Sequence, residues 1–314
     1  MKNQNSTISI AQKSSFKVIF SAITFTFLVL IFALSSFTNS VENVKKEPNT
    51  LLWKISGNGL QKSSYLFGTI HIICEEDYFI PKGFEEALQE AQQIALEIDM
   101  DDPNLMTSMQ QLSVMPTGMH LKQLLTEEEY NTVAQFFIDS LGIPKQQFEM
   151  MGVIKPMILS SMTIQKVITC STTKTYETEI VTKATEMKKE VVGVETIKDQ
   201  FDAFDKTSFK EQAKMLYDGI AKFDEGKEVF NKLMAAYKSQ SVDDTYAMIK
   251  EGSEEYKNFE QDLLITRNEN WIPVMKEMAE EKSTFFAVGA GHLGGKKGVI
   301  QLLKDAGYTL TPVQ

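Results

Sequence analysis

Four short apolar runs punctuate this chain: Tyr65–Ile70, Ile94–Leu96, Val191–Val194 and Phe285–Val288. Continuous apolar runs of this length, without alternation, read as strands buried on both faces. Each run gives way to a residue able to do chemistry. Gly68-Thr69-Ile70 leads to His71, Leu96 to Glu97 and Asp99, Val194 to Glu195, and Gly289-Ala290-Gly291 to His292. Leu51–Ile55 predicts a further strand, and Gly57-Asn58-Gly59 after it predicts an antiparallel hairpin. Thr309–Val313 predicts a terminal strand.

Between these runs the apolar spacing changes to three and four. Phe84, Ala87, Leu88 and Ala91 form one helical stripe behind Pro81-Lys82-Gly83. Tyr130, Val133, Phe136 and Phe137 form another, opened by the capping box of Thr126 and Glu129. A helix is expected over 176–187. Leu216, Ile220, Phe223, Val229, Leu233 and Ala236 carry the theme onward, and Val299, Leu302 and Leu303 close it, with Gly307 as the C-terminal cap. Strand, His-bearing loop, helix and acid-ended strand have the form of a βαβ unit. The chain therefore reads as an α/β fold in which helical insertions, about 101–188 and 199–281, form a cap.

The first forty residues break the pattern. Lys2, Lys13 and Lys17 are their only charged side chains, and Val18–Leu34 is apolar except for Ser21, Thr24 and Thr26. A basic start followed by an apolar core and small residues at Ser35, Ser36, Thr38 and Ser40 predicts a signal peptide, or an uncleaved N-terminal membrane anchor over residues 18–34. Either leaves the lysines cytoplasmic and exports the remainder to the periplasm or cell envelope. Residues 41–50 read as a linker and 51–314 as the exported domain. The formal net charge is −10, and loss of the leader would remove three positive charges and no negative ones. Such a body is a poor ligand for nucleic acid, where cations must neutralise phosphates. Cys74 and Cys170 are the two cysteines. In an exported protein they are able to pair; Cys74 otherwise reads as a small buried hydrophobe or, three residues after His71, a soft metal ligand.

The chain has 3 histidines, and two of them end the matching Gly-x-x-His segments. Glycine at Gly68 and Gly289 lets the backbone turn or approach a bound group. A histidine beyond a strand's carboxyl end stands where open α/β sheets place their sites. His71 and His292 are thus expected to converge on one metal, against the plainer expectation of two unrelated strand-end histidines. His120 has no strand before it and reads as a surface or loop residue. The 16 methionines read mainly as adaptable core, with a haem or copper surface as the alternative.

Gly68-Thr69-Ile70-His71, Leu96-Glu97-Ile98-Asp99, Gly193-Val194-Glu195-Thr196, Arg267-Asn268 and Gly289-Ala290-Gly291-His292-Leu293 together resemble the TraB/PrgY/GumN family, which includes the Tiki proteins. The resemblance runs from about Leu51 to Val313. It implies a two-half sheet core related to erythromycin esterases and ChaN-type haem-binding proteins (EreA/ChaN-like). It also implies paired Gly-x-x-His motifs and acids around a divalent metal, with peptide or protein substrates. Manganese, cobalt and zinc all suit imidazole and carboxylate donors. Under this resemblance His71, His292 and Glu97 become the expected metal ligands, and Gly68 and Gly289 the backbone that approaches the bound group. Of Glu97 and Glu195, one is expected to ligate and the other to act as general base. Arg267, the sole arginine, is expected to stabilise an oxyanion or grip a substrate carboxylate, or else to form a salt bridge to the acids. Glu177 and Glu179 are weaker candidates for the site acids, against the plainer reading of a solvated helix face. The alternative to a metal-dependent hydrolase is a non-catalytic binder of haem, metal or peptide.

Overall fold

The computed structural model describes residues 49–253, 256 and 258–314. The leader or anchor and the linker up to residue 48 lie outside the described residues. Among those described, no helix is long and apolar enough to cross a membrane. Thr50, at the end of the expected linker, is already buried, and its hydroxyl donates to the Val313 carbonyl at 2.9 Å.

The main sheet contains β1 (Leu52–Gly57), β2 (Ser64–Thr69), β4 (Gln93–Leu96), β6 (Glu190–Gly193), β7 (Thr284–Gly289) and β8 (Tyr308–Pro312); β3 (Ile73–Cys74) and β5 (Thr173–Lys174) pair apart from it. The main sheet runs in the order β6-β4-β7-β2-β1-β8. The four apolar runs become β6, β4, β7 and β2, adjacent and mutually parallel. β2 and β7 are buried at every residue, which is why they show no alternation. The expected hairpin makes β1 antiparallel to β2, with Gly57, Asn58 and Gly59 all at positive φ. β1 is also antiparallel to β8, so it alone opposes the rest of the sheet.

Helix α1 (Phe84–Glu90) turns its predicted stripe inward. The Phe84 ring meets Phe67 of β2 and Phe285 of β7 at centroid distances of 4.9 and 5.3 Å. Truncating such a ring to alanine would cost about 3–5 kcal/mol. The end of α1 is capped from a distance: the Lys189 ammonium donates to the carbonyls of Leu88 and Gln89, both at 2.6 Å.

Between β4 and β5 lie α2 (Leu105–Leu112), α3 (Leu121–Leu124), α4 (Glu127–Gln135), α5 (Lys145–Met151) and α6 (Pro156–Val167). Helix α7 (Tyr176–Glu186) leads into β6. Between β6 and β7 lie α8 (Ile197–Asp205), α9 (Phe209–Ala221), α10 (Phe223–Lys238), α11 (Val242–Ser253) and α12 (Thr266–Glu281); α13 (Val299–Asp305) precedes β8. The two insertions share a core of their own, in which Val133, Phe137, Phe148 and Leu159 meet Ala213 and Leu216. Met151 and Met162 belong to it, and Met157 and Met215 fill a third cluster. These methionines therefore pack the insertions, as flexible thioethers do.

His120 lies in a loop, as expected, and there caps a helix. Its Nδ1 accepts from the Lys122 amide at 3.2 Å, capping α3, while Nε2 contacts the Glu149 carbonyl at 3.1 Å. The ring lies against Gly152, where a Cβ would fall 2.1 Å from it.

Candidate active site

Parallel pairing sends the carboxyl ends of β2, β4, β6 and β7 to one edge of the sheet. His71, Glu97, Glu195 and His292 follow those ends; the side chains of His71, Glu97 and His292 gather around Gly289, and Glu195 joins them through Arg267. A carbon placed on Gly289 would lie 3.2 Å from Glu97 Oε1, 3.6 Å from His292 Cδ2 and 3.7 Å from His71 Nε2. Any side chain here would fill the space between the three groups. The Gly289 amide also donates to Glu97 Oε1 at 2.8 Å. Gly68 plays a different part from the one expected. A carbon on it would meet Leu293 and Ala290 at 3.0–3.1 Å, so it gives room for the turn after β7 to pack and does not line the centre.

The His71 half is acidic. His71 Nδ1 lies 2.8 Å from Glu177 Oε1, and the Thr69 hydroxyl donates to the same oxygen at 2.6 Å. Glu177 is buried, contrary to the solvated helix face expected for it. A sequence signal was present: Glu177, Ile180 and Ala184 share one stripe of α7 at helical spacing, and all three are buried. Glu179, off that stripe, lies 3.7 Å from the Lys174 ammonium. Burial alone would push His71 down, but the Glu177 charge and hydrogen bond outweigh it and raise the imidazole above its ordinary value. Burial likewise opposes the Glu177 carboxylate, and His71 outweighs it, so Glu177 is lowered.

The His292 half is cationic. The His292 Nδ1 lies 2.6 Å from Asn268 Oδ1, an oxygen that can only accept, so Nδ1 carries the hydrogen and Nε2 keeps its lone pair. Arg267 Nη1 stands 3.2 Å from that Nε2. Burial, then the Arg267 charge, push His292 well below the usual imidazole value. Asn268 also donates to the Lys297 carbonyl at 2.9 Å, which fixes its orientation. Trp271 packs against the imidazole, with ring centroids 4.4 Å apart and planes tilted by 37°.

Arg267 joins the acids. Its Nη2 donates to Glu97 Oε2 at 2.7 Å and to Glu195 Oε1 at 2.5 Å. Glu195 Oε2 accepts from the Trp271 indole at 2.8 Å and from Arg267 Nε at 3.2 Å. Burial pushes Glu195 up, against the guanidinium and indole, which favour its charged form. Of the roles expected for Arg267, the salt bridge to both acids is the one the geometry shows. Both oxygens of each acid have donors: Glu97 Oε2 also accepts from the Gln200 amide at 3.2 Å, and Glu97 Oε1, bonded to the Gly289 amide, lies 4.0 Å from His292 Nε2.

A divalent metal can be tested against these groups by donor type and by charge. Each imidazole has its Nδ1 held by an acceptor, as the imidazoles of metal sites commonly do, while His292 Nε2 faces the Arg267 Nη1 donor at 3.2 Å. Glu97 and Glu195 face the Arg267 guanidinium and Glu177 faces His71, so with neutral imidazoles the three carboxylates and one guanidinium leave two more negative charges than positive ones. Protonation of His71 relieves one; a dication would relieve both. By donor chemistry and charge the residues fit a divalent metal. Among the described residues, however, no group of three or more His, Cys, Asp or Glu side chains is gathered at metal-ligand spacing.

Beside the imidazoles lies a cavity of about 50 Å³, walled by α10 and α11. That is room for a few waters, and a porphyrin would have to displace the helices. The loop after His71 is tied down by a disulfide from Cys74 to Cys170 and by pairing of β3 with β5. Because β5 runs directly into α7, this tie also sets where Glu177 meets His71.

Residues 51–312 match the sequence model of the TraB/PrgY/gumN family. Among curated relatives, Metalloprotease TIKI1 of Danio rerio is 21% identical, over 83% of this chain and 62% of its own length. Metalloprotease TIKI1 of Xenopus tropicalis is 23% identical, over 83% of this chain and 61% of its own. Metalloprotease TIKI2 of Danio rerio is 20% identical, over 86% and 62% respectively. The chain thus spans about 62% of the length of the curated relatives it matches. No solved structure matches it.

Proposed function

This chain belongs to the TraB/PrgY/gumN family, and from that premise we propose that it is an exported, metal-dependent hydrolase of peptide bonds. One observation carries the reading. Two imidazoles with anchored Nδ1 atoms and the Glu97 carboxylate face one glycine niche, in a buried centre with an excess of negative charge. The names of the relatives add a metalloprotease precedent. The Cys74–Cys170 disulfide supports export, since such bonds persist in oxidising compartments.

His71, His292 and Glu97 would hold the metal. A divalent metal there supplies polarisation of a carbonyl and a lowered pKa for water. Glu97 is the acid turned toward the niche, and Oε1 is the atom it would present there, since Arg267 holds Oε2. Glu195 fixes Arg267, and Arg267 holds Glu97 in place and keeps His292 neutral with its lone pair presented. Glu177 orients His71 and strengthens it as a donor.

The test is metal analysis of the full chain together with cleavage of a peptide library in Mn²⁺, Co²⁺ or Zn²⁺. His71→Ala and His292→Ala should each lose both bound metal and cleavage. Unchanged metal content in both variants would remove the shared centre.

A further inference from the structure

One end of the cavity beside the imidazoles is His71 and His292; the rest is mostly apolar, with Val229 and Leu233 from α10, Met248 and Ile249 from α11, and Leu264. Among the described residues, no carboxylate, lysine or arginine lines it. A charged group entering would lose its hydration and find no ion partner. The volume, about 50 Å³, is well below the roughly 150 Å³ that accepts a benzene ring. It admits a few carbon atoms. The outer wall depends on one contact: a carbon on Gly291 would fall 2.2 Å from Ile249 Cδ1. Glycine there lets the Ile249 tip lean over the turn that carries His292 and narrow the cavity.

We infer that this cavity is the subsite for a small aliphatic side chain next to the scissile amide, and that Ile249 sets its size. The substrates are then peptides bearing an alanine- or valine-sized residue at that position. The inference rests on the hydrolase reading, because the imidazoles mark where the amide lies. A single methylene in an apolar pocket changes selectivity by roughly 10- to 200-fold, so Ile249 is a strong determinant.

Two readouts on the full chain separate this inference from the reading beneath it. In the first, N-acetyl amides of alanine, valine, phenylalanine and aspartate compete for the metal-stripped protein, followed by saturation-transfer NMR. Alanine and valine should bind about tenfold or more tightly than the other two. Ile249→Ala should shift the preference to phenylalanine; if that variant melts early, Met248→Ala enlarges the same wall and should do likewise. Equal binding of all four amides, or an unchanged ranking in a folded enlarged variant, overturns the subsite. In the second, a peptide library is cleaved and the residues flanking each cut are read. Enrichment of alanine and valine supports the subsite, and cuts indifferent to the flanking residue overturn it. Amide selectivity without cleavage of any peptide keeps the subsite as a ligand pocket and removes the hydrolase reading instead.

Discussion

His71 and His292 end the same short pattern on neighbouring parallel strands, yet they sit in opposite surroundings. His71 faces the Glu177 carboxylate and is raised; His292 faces the neutral Asn268 and the Arg267 cation and is lowered. The local motif is shared, and burial is similar: His292 is buried and the His71 side chain is 13% exposed. What differs is the second partner, which comes from elsewhere in the chain: α7 for one and α12 for the other. A paired motif therefore places two similar side chains while leaving each one's protonation to distant helices. The outcome is one imidazole favoured as the cation and one favoured in the neutral form.

The contrast breaks most severely at Arg267. Arg267→Met would leave Glu97 and Glu195 buried without their cation and should cost about 3–5 kcal/mol in chemical denaturation; a loss below 1 kcal/mol would mean that solvent reaches the acids. A smaller effect should follow from changing either orienting partner. Glu177→Gln and Asn268→Ala should each weaken metal binding by about 10- to 100-fold. In the metal-stripped protein only the first should lower the titration of His71, as read by imidazole ¹⁵N shifts, because burial then acts without the carboxylate. If both variants shift His71 equally, the two halves are not independent.

The pH dependence of the metal-stripped protein tests the same contrast more gently. His71 is raised above its ordinary value of 6.5, so its stabilisation is fully present below that pH and is lost as pH rises through the folded value. His292 is lowered below 6.5, so the unfolded chain takes up a proton first and stability falls as pH drops below that point. Together they favour a stability maximum near pH 6.5. His71→Gln should flatten the alkaline limb and His292→Gln the acid limb, in thermal melts across pH 5–8; the reverse assignment would refute the picture. The least effect should come from His120→Ala, which removes a helix cap at a cost of about 1 kcal/mol and leaves metal content unchanged.

Much of this arrangement was legible in the residues. Buried parallel strands must carry continuous apolar runs, and Tyr65–Ile70 and Phe285–Val288 show them openly. Gly289 beside His292 signalled a close approach, and the capping box at Thr126 and Glu129 formed as written. Glu177 was harder to read, because an acid in the first turn of a helix usually answers the helix dipole at the surface. Only its place on the stripe of Ile180 and Ala184 gave it away. The pairing of His292 with Asn268 left no local trace, since it joins residues of different elements. Gly68 was misleading for a related reason: glycine marks close approach without saying to what, and here the neighbour is the turn after β7.

The amino-acid pattern by itself determined the strands, their shared direction and the edge at which His71, Glu97, Glu195 and His292 emerge, because periodicity and burial are local and additive along the chain. Tertiary structure alone decided which imidazole meets a carboxylate and which a guanidinium, and how wide the cavity beside them is. Charge interactions between buried groups depend on distance across the fold, and no spacing within a single segment encodes that distance.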